Sequence, residues 1–122
     1  MKIQINTDHN IKGSEALSAW IIGEVESALD HVIDRTTRVE VHLADENGGK
    51  GGQDDKRCVM EARLEGWQPV AVRENAATLE LAVQRASHRL AQMIESSVES
   101  LRDNRRHPAH SNLAGSIPAK NL

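Results

Sequence analysis

The sequence predicts an α+β domain of two layers, a four-stranded sheet with two helices on one face, in the order β-α-β-β-β-α. Three observations predict it. From Thr36 to Arg73, apolar and polar residues alternate through TTRVEVHLAD, KRCVMEARLEG and QPVAVR, the period of strands buried on one side only. Two longer segments repeat their apolar residues at helical spacing instead. A short alternating run opens the chain ahead of the first of them.

That opening run is Lys2 to Asn6, where Ile3 and Ile5 alternate with Lys2, Gln4 and Asn6 before TDHNIKG breaks the strand. Ser14 is suited to cap a helix, because its hydroxyl can accept a bond from an orphan backbone N–H of the first turn. The helix runs from Glu15 to about Ile33, with Leu17, Trp20, Ile21, Val25, Ala28, Leu29 and Val32 on one stripe. Glu24, Glu26 and Asp30 make its outer surface acidic. A strand, a helix and a second strand imply a crossover that sets the first two strands parallel.

In the second strand Val39, Val41 and Leu43 alternate with Arg38, Glu40 and His42. The apolar-free loop GGKGGQDD follows. The third strand carries Cys58, Met60, Ala62 and Leu64 inward. Gly66 turns the chain into WQPVAVRE, the fourth strand. The open face of the sheet then presents Lys2, Gln4, Arg38, Glu40, His42, Arg57, Val59, Glu61, Arg63, Ala71 and Arg73. Cross-strand ion pairs suffice to balance that mixture. The second helix begins near Ala76 to Thr78, with Asn75 as a possible cap, and reaches about Arg102 or Arg106. Its buried stripe is Leu79, Ala82, Val83, Ala86, Leu90, Met93 or Ile94, Val98 and Leu101. Residues 1–106 thus form one domain, and HPAHSNLAGSIPAKNL, residues 107–122, reads as a disordered tail.

Composition narrows function by exclusion. The chain has 122 residues, a formal net charge of −3 and only two aromatic residues, Trp20 and Trp67. This argues against base stacking on an aromatic platform and against bulk-charge attraction to nucleic acid, but not against binding through one local basic patch. The single cysteine, Cys58, points inward, and no intrachain disulfide is possible. No apolar run approaches the ~20 residues that span a bilayer, and the N-terminus lacks the apolar core of a signal peptide. The expectation is a cytoplasmic protein.

The motifs that carry chemistry are missing. Asp45 to Asp55 fails the EF-hand pattern, because Gly49 and Lys50 fall where an oxygen ligand and the turn glycine belong. No phosphate-cradling glycine loop is present. The six histidines, His9, His31, His42, His88, His107 and His110, lie on separate elements without metal-ligand spacing. No serine sits in a nucleophile elbow, and Asp54 and Asp55 lie in a loop unsuited to shifting a carboxyl pKa. We expect no enzyme, cofactor, metal or small-molecule substrate. What remains is basic clustering. Arg85 and Arg89 share one face of the second helix, Arg102, Arg105 and Arg106 crowd its end, and Arg38, Arg57, Arg63 and Arg73 share the open sheet face. Separated arginines on a rigid domain can grip RNA phosphates by shape.

The element order, with IQINTDHNI, TRVEVHLADENG, KRCVMEARLEG, QPVAV and TLELAVQRASHRLAQMI, resembles the ribosome hibernation promoting factors and ribosome-associated inhibitors, also described as sigma-factor modulation proteins. The resemblance covers roughly Met1 to Arg106 and is of the short type, which lacks a further dimerisation domain. It implies a fold similar to double-stranded RNA-binding domains. It also implies binding to the rRNA of the small ribosomal subunit, blocking the mRNA and tRNA channel under stress. RNA contacts are carried over to Arg85, Arg89, Lys56, Arg57, Arg63 and Arg73. The alternative is a protein–protein interaction module on the same fold. One contiguous basic face would favour RNA, and a salt-bridged mosaic would favour the alternative.

Overall fold

The computed structural model describes residues 1–46 and 55–106, with side chains through residue 99. The predicted glycine-rich loop, the tail from His107 onward and the side chains of Arg102, Arg105 and Arg106 lie outside the described residues. The elements are β1 (Lys2–Thr7), α1 (Glu15–Ala28), a 3₁₀ segment (Asp30–Arg35), β2 (Thr36–Asp45), β3 (Lys56–Leu64), β4 (Val70–Ala76) and α2 (Leu79–Arg106).

The strands form one sheet in the order β1-β2-β3-β4. β1 and β2 are parallel, as the intervening helix requires, and the other neighbours are antiparallel. Register follows the apolar pattern. Ile5, Val41, Met60 and Val72 lie side by side across the four strands, as do Ile3, Val39, Ala62 and Val70. Both helices cover this face. Ile21 and Val25 from the first, Leu29 just past its end, and Ala82, Val83, Ala86, Leu90 and Ile94 from the second close the core over Val39, Val41, Cys58 and Met60. Each fully buried aliphatic side chain contributes about 1.5–3 kcal/mol of transfer free energy, so this one interface supplies most of the drive to fold.

Two boundaries differ from expectation. The first helix stops at Ala28 and continues as 3₁₀, with Val32 at φ −124° rather than helical. A 3₁₀ turn aligns residues three apart. Leu29 and Val32 therefore both reach the core, and the Thr36 hydroxyl donates to the Val32 carbonyl at 3.0 Å. The second difference lies at the start of α2. Asn75 and Ala76 belong to β4, and Thr78 caps the helix by accepting from the Leu81 amide at 3.1 Å. Tertiary pairing with β3 outweighs the helical preference of Ala76. Ser14 caps α1 as expected, accepting from the Leu17 amide at 3.0 Å. Of the Met93 and Ile94 alternatives, Ile94 is buried and Met93 is exposed. Gly66, at φ 72°, makes the β3–β4 turn in the left-handed region that favours glycine.

Leu90→Ala is expected to lose about 2–5 kcal/mol of unfolding free energy, as measured by chemical denaturation, because the rigid sheet beneath cannot collapse into the void. Burial pushes the Cys58 thiol from 9.0 up to about 12. The native state thus keeps a proton that the unfolded chain gives up. The associated stability is complete below about pH 9 and is lost as pH rises toward 12. Cys58→Ala is expected to flatten the fall in melting temperature from about pH 9 to about pH 11, relative to the parent protein.

Candidate nucleic-acid interface

The core determines where every charge on the opposite face sits. Because β2 and β3 must pair with their apolar residues inward, Arg38 falls directly opposite Arg63 and Glu40 directly opposite Glu61. Like charges opposed across strands repel. The structure relieves this along each strand rather than across it. Arg38 Nε lies 3.3 Å from Glu40, and Arg63 Nη2 lies 3.8 Å from Glu61, both pairs two residues apart. Glu40 also takes His42 Nε2 at 3.5 Å, and Arg38 donates to the Gln4 side chain. The cross-strand pairs expected from the sequence are replaced here by in-strand ones.

The six predicted RNA-contacting residues fall into three environments. Lys56 is the most constrained. Its Nζ lies 3.3 Å from Asp45 and 3.2 Å from Asp55, two carboxylates that are nearly fully buried. The hydrogen bond to Asp55, supported by Asp45, holds the Lys56 amine above its ordinary value despite partial desolvation. One oxygen of Asp55, Oδ2, is buried and has no hydrogen-bond partner among the described residues. The Asp45 amide donates to Asp8 Oδ2 at 3.2 Å, and its carbonyl accepts from Asn10 at 3.2 Å. Lys56 is thus the cation of a knot joining the ends of β1, β2 and β3.

Arg57, Arg63 and Arg89 share the second environment, each beside one partly exposed carboxylate. Arg57 lies 3.6 Å from Glu46, and Arg89 Nη1 lies 2.7 Å from Glu74. Exposed pairs of this kind are worth about 0–1 kcal/mol, so these arginines are held loosely. Arg73 and Arg85 form the third environment. Arg85 donates to the Asn75 backbone carbonyl at 3.2 Å, a neutral acceptor. Arg73 is exposed and makes no ion pair among the described residues.

These positions draw together around β4, the edge strand. Arg73 projects on the open face of the sheet. Arg85 and Arg89 come down from α2 onto Asn75 and Glu74. Asn75 in turn donates to Glu46 at 2.7 Å, and Glu46 pairs with Arg57. Arg57, Arg73, Arg85 and Arg89 therefore sit around one end and edge of the sheet, whereas Arg63 lies opposite Arg38, further along β3 from Val59, the partner of Arg73. Among the described residues the surface is a mosaic of arginines and carboxylates rather than a contiguous basic face. The spacing of Arg85 and Arg89 revealed their shared helix face. Their partners, Glu74 and Asn75, come from a strand that no local pattern connects to them. The burial of Asp45 and Asp55 also escaped sequence reasoning, because two acids flanking a glycine-rich loop look solvated.

The sequence pattern of the family described as sigma 54 modulation protein / S30EA ribosomal protein matches residues 3–102. No curated protein matches the chain. Among solved structures, the N-terminal domain of Protein Y from Thermus thermophilus is similar at a TM-score of 0.65 and 23% identity, covering 79% of this chain and 98% of that one. A ribosomal subunit interface protein from Coxiella burnetii is similar at a TM-score of 0.68 and 13% identity, covering 81% of this chain and 99% of that one. At these identities the likeness is one of fold, and it matches the two-layer α+β architecture predicted from the sequence.

Removing the cation from the β1–β2–β3 knot leaves two buried carboxylates facing each other. Lys56→Met is expected to lower the urea midpoint at neutral pH, and Asp55→Asn in the same chain to restore part of the loss. No recovery in the double variant would show that Lys56 stabilises the protein by another route.

Proposed function

The chain belongs to the sigma 54 modulation protein / S30EA ribosomal protein family, and from that premise we propose that it is a ribosome-associated translation regulator of the hibernation type. It binds the small ribosomal subunit through rRNA phosphates and occludes the mRNA and tRNA channel under stress. It acts by occupying space and needs no catalytic step. The observation that carries the reading is the family match over residues 3–102, nearly the whole α+β domain.

The geometry ranks the candidate contacts. A phosphate that approaches Arg57, Arg63 or Arg89 displaces a carboxylate and then lies near it, which cancels part of the gain. Arg73 and Arg85 face no such competition among the described residues. Arg73 and Arg85 are therefore the principal phosphate contacts, with Arg57, Arg63 and Arg89 secondary. Lys56 contributes by holding the strand ends in place. Binding through a handful of phosphates is sensitive to salt, since each neutralised phosphate releases condensed cations.

A second reading has its own support. The paired carboxylates on the sheet face suit a protein partner better than a polyanion, so an interaction module with little rRNA binding is the competing function.

Cosedimentation with ribosomes separates the two. The protein is expected to pellet with small subunits at low salt and to be released as salt rises. Arg73→Glu/Arg85→Glu is expected to weaken binding more than Arg63→Glu and to reduce the slope of log affinity against log salt by about one or more. No cosedimentation at any salt, with recovery of a defined protein partner, would favour the interaction module.

A further inference from the structure

The sheet ends in two edge strands, β1 and β4, and they differ in how their outer edges are guarded. An edge strand offers a row of unpaired N–H and C=O groups to any strand that reaches it. On β4, Arg85 from α2 already occupies the Asn75 carbonyl, and Arg89 pairs with Glu74 beside it. β1 carries little protection of that kind. Its residues read KIQINT, with one charge, Lys2, at the start and no proline. They pair with β2 in unbroken register, without a bulge to turn the edge away.

One bond fixes which way the backbone groups of β1 point. The Asp8 amide donates to the Leu43 carbonyl at 3.0 Å and so continues the parallel ladder. Alternate residues of a strand aim their backbone groups to the same side. Gln4 and Asn6 therefore turn theirs to β2, and Ile3 and Ile5 turn theirs outward. These outward groups meet no hydrogen-bond partner among the described residues. The side chains of Ile3 and Ile5 pack against the core yet are only partly buried, whereas their neighbours Val39 and Val41 are fully buried. The β1 edge thus leaves both backbone and apolar surface uncovered.

We propose that a second copy of this chain covers the β1 edge, the two β1 strands pairing antiparallel about a twofold axis at Gln4. In that arrangement the strand is complementary to itself. Ile3 of one copy falls opposite Ile5 of the other and Lys2 opposite Asn6, so apolar meets apolar and the two lysines stay apart. The outward backbone groups of Ile3 and Ile5 exchange N–H···O bonds, and Gln4 faces itself in the closer, non-hydrogen-bonded type of pair. Parallel pairing in register would set lysine against lysine instead. A slip of one residue would set each isoleucine opposite a polar side chain. The twofold closes the contact at two copies and yields one eight-stranded sheet with every helix on the same face. An edge of six residues is short, so the association is weak and reversible. The arginines of β4 and α2 lie at the far ends of that sheet, and the pairing does not rest on the ribosome reading.

Sedimentation equilibrium of the full chain between about 10 µM and about 1 mM is expected to show a mass that rises from one copy to two. A one-copy mass throughout overturns the proposal, and so does growth beyond two copies. An edge reserved for a strand of some other protein would give the first of those results. Gln4→Cys, treated with oxidised glutathione, is expected to cross-link two copies about tenfold faster than Lys2→Cys, because Gln4 alone faces itself within disulfide reach. Cys58 is buried and does not compete for the oxidant. Equal cross-linking rates overturn the proposal. Ile3→Pro removes an outward N–H and no bond to β2, and is expected to weaken the dimer about tenfold. Unchanged dimerisation in that variant overturns the proposal. Should Ile3→Pro fold poorly, the cross-linking rates decide, since Lys2 and Gln4 are exposed positions.

Discussion

The pairing of β2 with β3 is the constraint on which the rest of the molecule depends. Burying Val39, Val41 and Leu43 beside Ala62, Met60 and Cys58 admits only one register, since a slip of one residue would turn every apolar side chain to solvent. That register is chosen by the core, yet it dictates the charge pattern outside. It sets arginine against arginine and glutamate against glutamate across the strands, and the surface answers with ion pairs along each strand. The same pairing brings Lys56 opposite Asp45 and so creates the knot that ties the strand ends together. An electrostatic surface that looks like an independent design is in large part a consequence of packing.

The architecture was open to sequence reasoning because it rests on periodicity. Alternation located all four strands, and the parallel pairing of β1 with β2 followed from the helix between them. The misplaced ends have local causes. Val32 continues a helical stripe in the sequence, and a 3₁₀ turn satisfies the same burial with fewer residues. Ala76 favours a helix, but its neighbours on β3 claim it as a strand. The surface was far less legible. Arg89 with Glu74 and His31 with Glu95 join residues distant in the chain, and ion pairs of long side chains leave no periodic trace. Arg73 and Arg85 stand out from the other arginines only once their neighbours are known.

Charge is divided between two sides of α2. The side toward β4 carries Arg85 and Arg89, and the side toward α1 carries Glu95, paired with His31, beside Glu24, Asp34, Glu99 and a single arginine, Arg35. A net charge of −3 conceals this division, which is why composition spoke against nucleic acid while the local arrangement leaves room for it. Membership of a ribosome-linked family and a surface rich in carboxylates fit together if the two sides meet different partners.

The orientation of the chain on its partner is therefore the quantity that matters most. Electron cryo-microscopy of ribosomes saturated with the protein at low salt measures it directly. The expected map places the domain on the small subunit with β4 and the Arg85–Arg89 face of α2 against rRNA, and the acidic outer surface of α1 turned away from phosphate. Density that sets the acidic surface of α1 against rRNA, or ribosomes that carry no added density at all, would contradict it.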